Sequence, residues 1–263
     1  MVSYLHCLHM DNKSYSVLNT HKSMLLQTLP FFGNSWCSNP YLISKFMKGI
    51  FNLKPPTPRY CFTWDVSVVL KFLRTLYPLE KLSLKMLTFK TVALIALACA
   101  PRAQTLVSLN IDYMKVKKKE IVCWFPNLLK TSKIGKSYQM CLEHFSEENL
   151  CVMHTVLFYM RTTESQRKCK NLLISYVTFD SVRTSTVARW IKLVLDSSGV
   201  DTSVFKAHSF RSASTSAAMD AGCSLRNVLK TADWGSSKNF YKFYYRAKTT
   251  NGDKSFTKAV FGH

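Results

Sequence analysis

Residues 83–100 constrain the fold of this chain more than any other segment. From Val92 onward the side chains are apolar on almost every side, and the run ends at Pro101. A helix without a polar face has to be buried among other elements. The apolar run of residues 91–101 is about half as long as the roughly 20 residues that a membrane-spanning helix needs. The sequence therefore predicts a helix at the centre of a folded core.

The other periodic segments predict amphipathic helices and one small sheet around that centre. Apolar residues recur at helical spacing in further segments, namely residues 20–29, 41–53, 65–77, 105–109, 147–160, 185–195, 208–221, 225–232 and 236–245. Residues 111–125 are β-branched and aromatic apart from the lysines at 117–119, which indicates a strand hairpin. A third strand is expected around residues 137–142. The predicted fold class is mostly α with a small antiparallel sheet.

A proline-rich stretch, residues 54–58, divides the chain. Each of its three prolines disfavours helix in the residue before it, so the stretch is expected to be an extended linker. The sequence then predicts a short helical domain over residues 1–53, a larger domain over residues 59–246 and a C-terminal tail over residues 247–263. Because about fifty residues make only a thin core, we expect the first domain to be truncated.

The charge of the chain favours a polyanionic partner. Lysine and arginine number 36 against 15 aspartates and glutamates, which gives a net charge of +21. Double-stranded DNA is the first expected partner. An acidic membrane is the second, but the sequence has no lipid-anchor motif, no long apolar span and no strongly basic amphipathic helix. The N-terminal residues do not resemble a secretory signal, so we expect the protein to stay inside the cell.

The nine cysteines are spread over the chain instead of forming a dense disulfide framework, so reduced thiols are expected. Four residues offer the ligand types that zinc prefers, and they are Cys141, His144, Cys151 and His154. The gap between the two pairs is short for a zinc finger, and the second pair belongs to a helical pattern. A zinc-bearing interaction protein is therefore the weakest alternative.

Certain basic and aromatic residues stand apart from the general positive charge, namely Arg102, Lys130, His208, Arg211, Trp234, Tyr241, Tyr244 and Tyr245. Arg102 follows the most apolar helix, where a guanidinium is costly unless it meets an anion. Lys130 lies between two predicted strands, from which a flexible amine can reach a groove. His208 and Arg211 share one helix face. Capping, solvation and core packing are the ordinary explanations for such residues.

The order and spacing of these residues resemble the active site of the tyrosine recombinases. The segments that carry the resemblance are residues 96–106, 130–133, 205–218 and 232–244. The last two resemble phage-integrase-like enzymes of animal mobile elements of the DIRS and Crypton kind. The resemblance implies a catalytic domain of helices around a small sheet, preceded by a core-binding domain that clamps the DNA. It also implies a nuclear location and self-assembly on DNA through the C-terminal segment.

The resemblance further implies a role for each residue in site-specific recombination or integration. Tyr244 would attack the scissile phosphate and form a 3′-phosphotyrosine. Arg102 and Arg211 would hold its two non-bridging oxygens, and Lys130 would protonate the leaving 5′-oxygen. The remaining two residues, His208 and Trp234, would order and support the phosphate. Neither a metal, a nucleotide cofactor nor a small-molecule substrate is expected.

The sequence departs from the family pattern at two points. Thr105 stands where many members have an acidic residue three positions after the first arginine, so the orientation of Arg102 is expected to depend on other groups. The interval from Trp234 to Tyr244 is one residue longer than in the best-known members. This leaves Tyr245 as a minor rival nucleophile and Tyr241 as a weaker one.

Two alternatives share the same residues. A type IB topoisomerase would use the same covalent intermediate but relax supercoils without pairing two sites. A non-catalytic DNA-binding relic of a mobile element would keep phosphate affinity from its positive charge while its active site drifts. The intact set of site residues argues against drift in the site, whereas the short N-terminal domain argues for drift in the whole chain.

Overall fold

The computed structural model describes residues 1–32, 39–56, 62–129, 132 and 138–246. The chain divides into two compact units, Met1–Arg59 and Tyr60–His263. In these described ranges no helix combines the length and the apolar character needed to cross a membrane. The predicted fold class is confirmed, because helices dominate and three antiparallel strands form one small sheet.

Within residues 1–32 and 39–56 the first unit has three helices, α1 (Val2–Met10), α2 (Tyr15–Thr28) and α3 (Pro40–Leu53), with a 3₁₀ turn at Leu29–Phe32. Its core is small and consists of Leu5, Leu18, Ile43, Met47 and Ile50. The sequence patterns did not predict α1. They also placed the start of α2 too late, because Ser14 begins this helix by accepting a hydrogen bond from the backbone N–H of Val17.

The second unit contains the remaining helices, which are α4 (Val66–Thr75), α5 (Leu84–Cys99), α6 (Ala103–Val107), α7 (Val152–Thr163), α8 (Thr184–Ser197), α9 (Ser209–Asp220), α10 (Leu225–Thr231) and α11 (Ser237–Phe243). Helix α5 is the expected central element, since every residue from Leu87 to Ala96 is buried. It packs against α7, α8, α9 and the sheet. The apolar run therefore fixes the middle of this unit.

The sheet has the order β1 (Met114–Val116), β2 (Glu120–Trp124) and β3 (Gln139–Glu143), with both pairs antiparallel. The register opposes Val122 to Cys141. The predicted hairpin begins three residues too early, because residues 111–113 form a 3₁₀ turn. The side chain of Asn110 accepts a hydrogen bond from the N–H of Asp112 and starts this turn.

Lys90 is a charged side chain within the core of the second unit. It is 0% exposed, and its Nζ donates to the carbonyl of Leu73 at 3.2 Å and to that of Leu76 at 2.6 Å. These carbonyls lie at the C-terminal end of α4, where a helix leaves its last carbonyls without i+4 partners, and that of Leu73 also accepts from the N–H of Leu76 at 3.2 Å. Burial lowers the pKa of Lys90 to about 8.

We expect the free energy of unfolding to rise with pH through the contribution of Lys90. Between about pH 8 and 10.5 the unfolded chain keeps the proton that the folded chain has lost, so stability increases there. Urea titrations measure the change in the free energy of unfolding from pH 7.5 to pH 9.5. This change should be about 2 kcal/mol more favourable in the native chain than in Lys90→Met. Ionisation of the buried thiols lowers stability as pH rises, but both proteins contain these thiols, so their effect cancels in the comparison. Equal pH dependence of the two proteins would show that the ammonium remains charged.

Candidate active site

Arg211 lies in the first turn of α9 and is only 2% exposed. Its Nη1 donates to the carbonyl of Ala100 at 2.6 Å, and its Nη2 donates to the carbonyl of Ala232. The Nε is buried and has no hydrogen-bond partner among the described residues. The guanidinium thus links the ends of α5 and α10, and its Nε–H is left for another group.

The electrostatic environment of Arg211 favours an anion beside it. Burial and, after it, the positive charge of Arg102 lower the pKa of Arg211 to about 10. The opposing contributions from Tyr244 and Asp233 are smaller. A strongly perturbed cation next to a second cation is a typical feature of a functional site. An anionic ligand between the two guanidiniums would relieve this unfavourable balance.

The turn after α5 brings the two arginines together. Ala100 ends the helix in the left-handed region, with φ at 46°, and Pro101 prevents the helix from continuing. Arg102 then adopts an extended conformation directly before α6. As a result, the carbonyl of Ala100 accepts a hydrogen bond from Arg211, and the side chain of Arg102 lies in the same region.

Asp233 supplies an acidic partner for Arg102. Its Oδ2 lies 3.5 Å from Nη1 of Arg102, and both side chains are mostly buried. Thr105, at the position where an acidic residue was sought in the sequence, is a buried residue of α6. Sequence reasoning missed Asp233, although its place directly before Trp234 was the available signal. Its φ of 52° is a left-handed conformation, which aspartate tolerates better than most residues.

His208 and Tyr244 meet at the start of α9. The Nε2 of His208 lies 3.3 Å from the hydroxyl oxygen of Tyr244. The beginning of this helix is held by Trp64, whose Nε1 donates to the buried hydroxyl of Ser209 at 2.9 Å. Trp64 also contacts the ring of Phe210. The position of the His208 imidazole opposite Tyr244 is therefore fixed by the packing of this helix start.

The ring of Trp234 contacts both Arg211 and Tyr244. Its ring centroid lies 4.4 Å from Cζ of Arg211 and 4.5 Å from the centroid of the Tyr244 ring. Its Nε1 is buried and has no hydrogen-bond partner within the described part of the chain. Stacking of this kind holds a guanidinium plane in place. Trp234 therefore limits the orientations of both neighbours.

The three tyrosines near the end of the chain have different surroundings. The Tyr244 hydroxyl lies beside His208, and its ring centroid is 5.6 Å from Cζ of Arg211. The Tyr245 hydroxyl donates instead to the carboxylate of Asp220 at 3.2 Å. Tyr241 is 49% exposed. Among the three, Tyr244 has the geometry of a group that can act on an anion held by the arginines.

Tyr138 is a second residue that sequence reasoning missed. Its hydroxyl donates to the carbonyl of Thr231 at 2.9 Å, and its ring stacks on Phe125. Burial raises the pKa of Tyr138 above the ordinary value, and the nearby Cys99 raises it by a smaller amount. The contact connects the start of β3 to the end of α10, two residues before Asp233. No motif indicated it, because the two partners are far apart in sequence.

The structure brings together five of the six residues that the sequence singled out, namely Arg102, His208, Arg211, Trp234 and Tyr244. The sixth, Lys130, lies outside the described residues. Its role as a proton donor stays a prediction.

The zinc alternative is wrong for the described residues, which include all four of its candidate ligands and contain no group of three or more His, Cys, Asp or Glu side chains placed to hold a metal ion. Cys141 is an exposed residue of β3. Cys151 is buried at the start of α7, where its Sγ accepts from the backbone N–H of His154. His154 itself lies 3.5 Å from Glu148.

The sequence model described as "Phage integrase family" matches residues 68–251. No curated protein matches the chain at a significant level. The match to the family therefore depends on a pattern of residues spread over most of the second unit.

Several solved structures with the same fold are recombinases or integrases. The Tn1549 transposon integrase in complex with circular intermediate DNA has a TM-score of 0.63 at 12% identity, covering 99% of this chain and 82% of its own. A lambda integrase dimer bound to a COC′ core site gives 0.62 at 13% identity, covering 96% and 65%. The XerA recombinase gives 0.54 at 14%, covering 100% and 97%. The chain spans about half the length of the XerH recombinase structures that it also matches. At identities this low, the TM-scores establish a shared fold and nothing more.

Proposed function

The chain belongs to the phage integrase family of tyrosine recombinases, and from that premise we propose that it cleaves and rejoins DNA at specific sites through a 3′-phosphotyrosine intermediate. One observation carries the proposal. The hydroxyl of Tyr244 lies 3.3 Å from His208, in the same cluster as the two guanidiniums of Arg102 and Arg211. This arrangement combines a nucleophile, a proton-handling group and paired cations.

The arginines suit the phosphate of a DNA backbone. Attack on a phosphodiester increases the negative charge on its non-bridging oxygens, and guanidinium groups donate paired, charge-assisted hydrogen bonds to such oxygens. Arg211 is held by two backbone carbonyls, and Arg102 is held by Asp233. Because both side chains are positioned before DNA arrives, little reorganisation is needed when the charge develops.

Tyr244 becomes a nucleophile through its neighbours. A phenol attacks only as it gives up its proton, and Nε2 of His208 is the group that faces its oxygen to take that proton. The phenolate oxygen bonds to phosphorus, the bond to the 5′-oxygen breaks, and the leaving oxygen takes a proton, which we assign to Lys130. His208 faces the tyrosine oxygen and orders it against the phosphate. A 5′-hydroxyl then attacks the phosphotyrosine and restores the phosphodiester, so the bond energy is retained.

We assign the chain to the DIRS- or Crypton-type branch of mobile-element recombinases, on the resemblance of residues 205–218 and 232–244. An element of that kind acts on chromosomal DNA, so the proposed location is the nucleus. The net charge of +21 supports DNA as the partner. Other structures of this fold contain a lambda integrase dimer on a core site and a tetramer on a Holliday junction. These support self-assembly on DNA, which we assign to the C-terminal segment.

The proposal is tested with a nicked suicide DNA substrate, which traps the intermediate because the cleaved fragment diffuses away. We expect a covalent protein–DNA adduct on denaturing electrophoresis, with the same yield in excess EDTA. The two guanidiniums supply the charge stabilisation that a metal ion provides in other phosphoryl-transfer sites. Circular substrates with and without paired sites serve as the control for strand exchange.

Three outcomes would contradict this function. Binding to DNA without any adduct would identify a non-catalytic relic. Adduct formation that EDTA abolishes and magnesium restores would indicate a metal-dependent mechanism. Relaxation of supercoiled circles that lack paired sites, without recombination of circles that have them, would indicate a type IB topoisomerase.

A further inference from the structure

Helix α9 carries a row of polar side chains that the proposed chemistry does not use. Ser212, Ser216 and Asp220 recur at every fourth residue, and this spacing places them on one face of the helix. Ser212 is 2% exposed and Ser216 is 0% exposed. Buried hydroxyls of this kind require hydrogen-bond partners. Their partners identify what the row does.

Both serines bind the main chain at Tyr244. The Ser212 hydroxyl donates to the carbonyl of Tyr244, and the Ser216 hydroxyl lies 3.3 Å from the same oxygen. The backbone N–H of Arg246 donates to the Ser216 hydroxyl at 3.0 Å. Asp220 accepts a hydrogen bond from the side chain of Tyr245. Consecutive residues after α11 are thus fastened along one face of α9.

These contacts occur where the backbone of α11 has stopped being helical. Tyr244 follows the last residue of α11, with φ at −123°. The N–H groups of Tyr244 and Tyr245 both donate to the carbonyl of Phe240, at 2.8 Å and 3.0 Å. The carbonyl of Tyr244 therefore faces outward from the helix end, where terminal carbonyls lack intrahelical partners. The two serines supply the partners that the helix does not.

We propose that Ser212 and Ser216 form a hydroxyl clamp that fixes the register of the segment after α11, so that Tyr244 and not a neighbouring tyrosine presents its hydroxyl to the phosphate site. This inference rests on the proposed function, because it assigns the choice of nucleophile. Both serines are positioning residues, since they hold the main chain of the tyrosine and do not touch the reacting atoms.

The clamp couples the nucleophile to the phosphate site through one short piece of helix. Ser212 directly follows Arg211 in α9, so the group that holds the phosphate and the group that holds the tyrosine backbone move together. Adjacent tyrosines point in different directions, and Tyr245 could replace Tyr244 only after the segment slips by one residue. Slippage would break the bonds to both serines and the bond from Tyr245 to Asp220.

The test compares the double variant Ser212→Ala/Ser216→Ala with Ser214→Ala on the same helix. The Ser214 hydroxyl lies 3.4 Å from the carbonyl of Arg211 within α9, so its removal matches the change in chemistry without touching Tyr244. We expect single-turnover cleavage of the suicide substrate to fall roughly 10- to 100-fold in the double variant, since small misplacement of a reacting group is costly. DNA affinity should stay within about twofold of the control. Peptide mapping should show a larger share of the adduct at Tyr245.

A second measurement requires no catalysis. Amide hydrogen exchange at Arg246 in the protein without DNA should accelerate at least about tenfold in the double variant and stay unchanged in Ser214→Ala, because only the double variant removes the acceptor of this N–H. Equal cleavage rates and unchanged exchange would overturn the clamp. So would equal losses in the double variant and the control, which would indicate general destabilisation.

The outcomes separate the clamp from the proposed function. If the native chain forms no adduct, the proposed function is wrong, and the role of the clamp in selecting the nucleophile is overturned with it. Faster exchange in that case would still show that the serines hold the segment. If the native chain forms the adduct and the double variant forms it at the same rate on Tyr244, only the clamp is overturned.

Discussion

The variant Tyr244→Phe is expected to lose covalent attachment to DNA by at least roughly 10⁴-fold while it retains nearly all of its DNA affinity. The substitution removes the hydroxyl that lies 3.3 Å from His208. The ring remains, and its packing 4.5 Å from the Trp234 ring centroid needs no oxygen. Affinity depends on many phosphate contacts, of which one hydroxyl is a small part. Denaturing electrophoresis of the suicide reaction measures attachment, and filter binding measures affinity.

Tyr245→Phe is the matched control for this result. It removes the neighbouring hydroxyl, which donates to Asp220 at 3.2 Å, and should leave the adduct within about threefold of the native yield. An adduct that persists in Tyr244→Phe and disappears in Tyr245→Phe would reverse the assignment of the nucleophile. If the adduct persists in both variants, Tyr241 becomes the candidate nucleophile.

The variant Arg211→Lys is expected to lower the cleavage rate by roughly 10²- to 10³-fold and also to destabilise the second unit. A lysine cannot donate to two carbonyls and a phosphate with the fixed fork of a guanidinium. The carbonyls of Ala100 and Ala232 are both bound by this side chain. A buried carbonyl left unpaired costs about 1–3 kcal/mol, so the free energy of unfolding should fall by at least that amount. Single-turnover cleavage and urea denaturation measure the two effects.

Arg102→Lys distinguishes the chemical role from the structural one. The side chain of Arg102 is 20% exposed, and Asp233, which lies 3.5 Å from it, can also pair with an ammonium group. We expect a loss of cleavage of similar size with less than about 1 kcal/mol of destabilisation. Native cleavage rates in both lysine variants would contradict the assignment of the guanidiniums to the phosphate. Loss of stability without loss of cleavage would make Arg211 a purely structural residue.

Local patterns in the sequence determined the centre of the fold. The apolar run in residues 83–100 predicts α5, and burial on all sides follows from its composition. The β-branched and aromatic residues of segment 111–125 likewise predict a strand hairpin, with a third strand expected around residues 137–142. Boundaries were less predictable, because single side chains such as Ser14 and Asn110 decide where an element starts. The spacing from Arg102 to Tyr244 indicated the family, since each motif lies within a short stretch.

Tertiary structure alone decided how the site is held. Asp233 faces Arg102 across 131 residues of sequence, and Arg211 meets the carbonyl of Ala100 across 111 residues. Carbonyl acceptors leave no signal in a sequence, because every residue has one. In the sequence, the serines of α9 are recognisable only as small residues. Their function depends on which backbone packs against them. The sequence thus determines which groups are available, while packing determines which of them meet, because a buried polar group is paired with whatever element lies beside it in most cases.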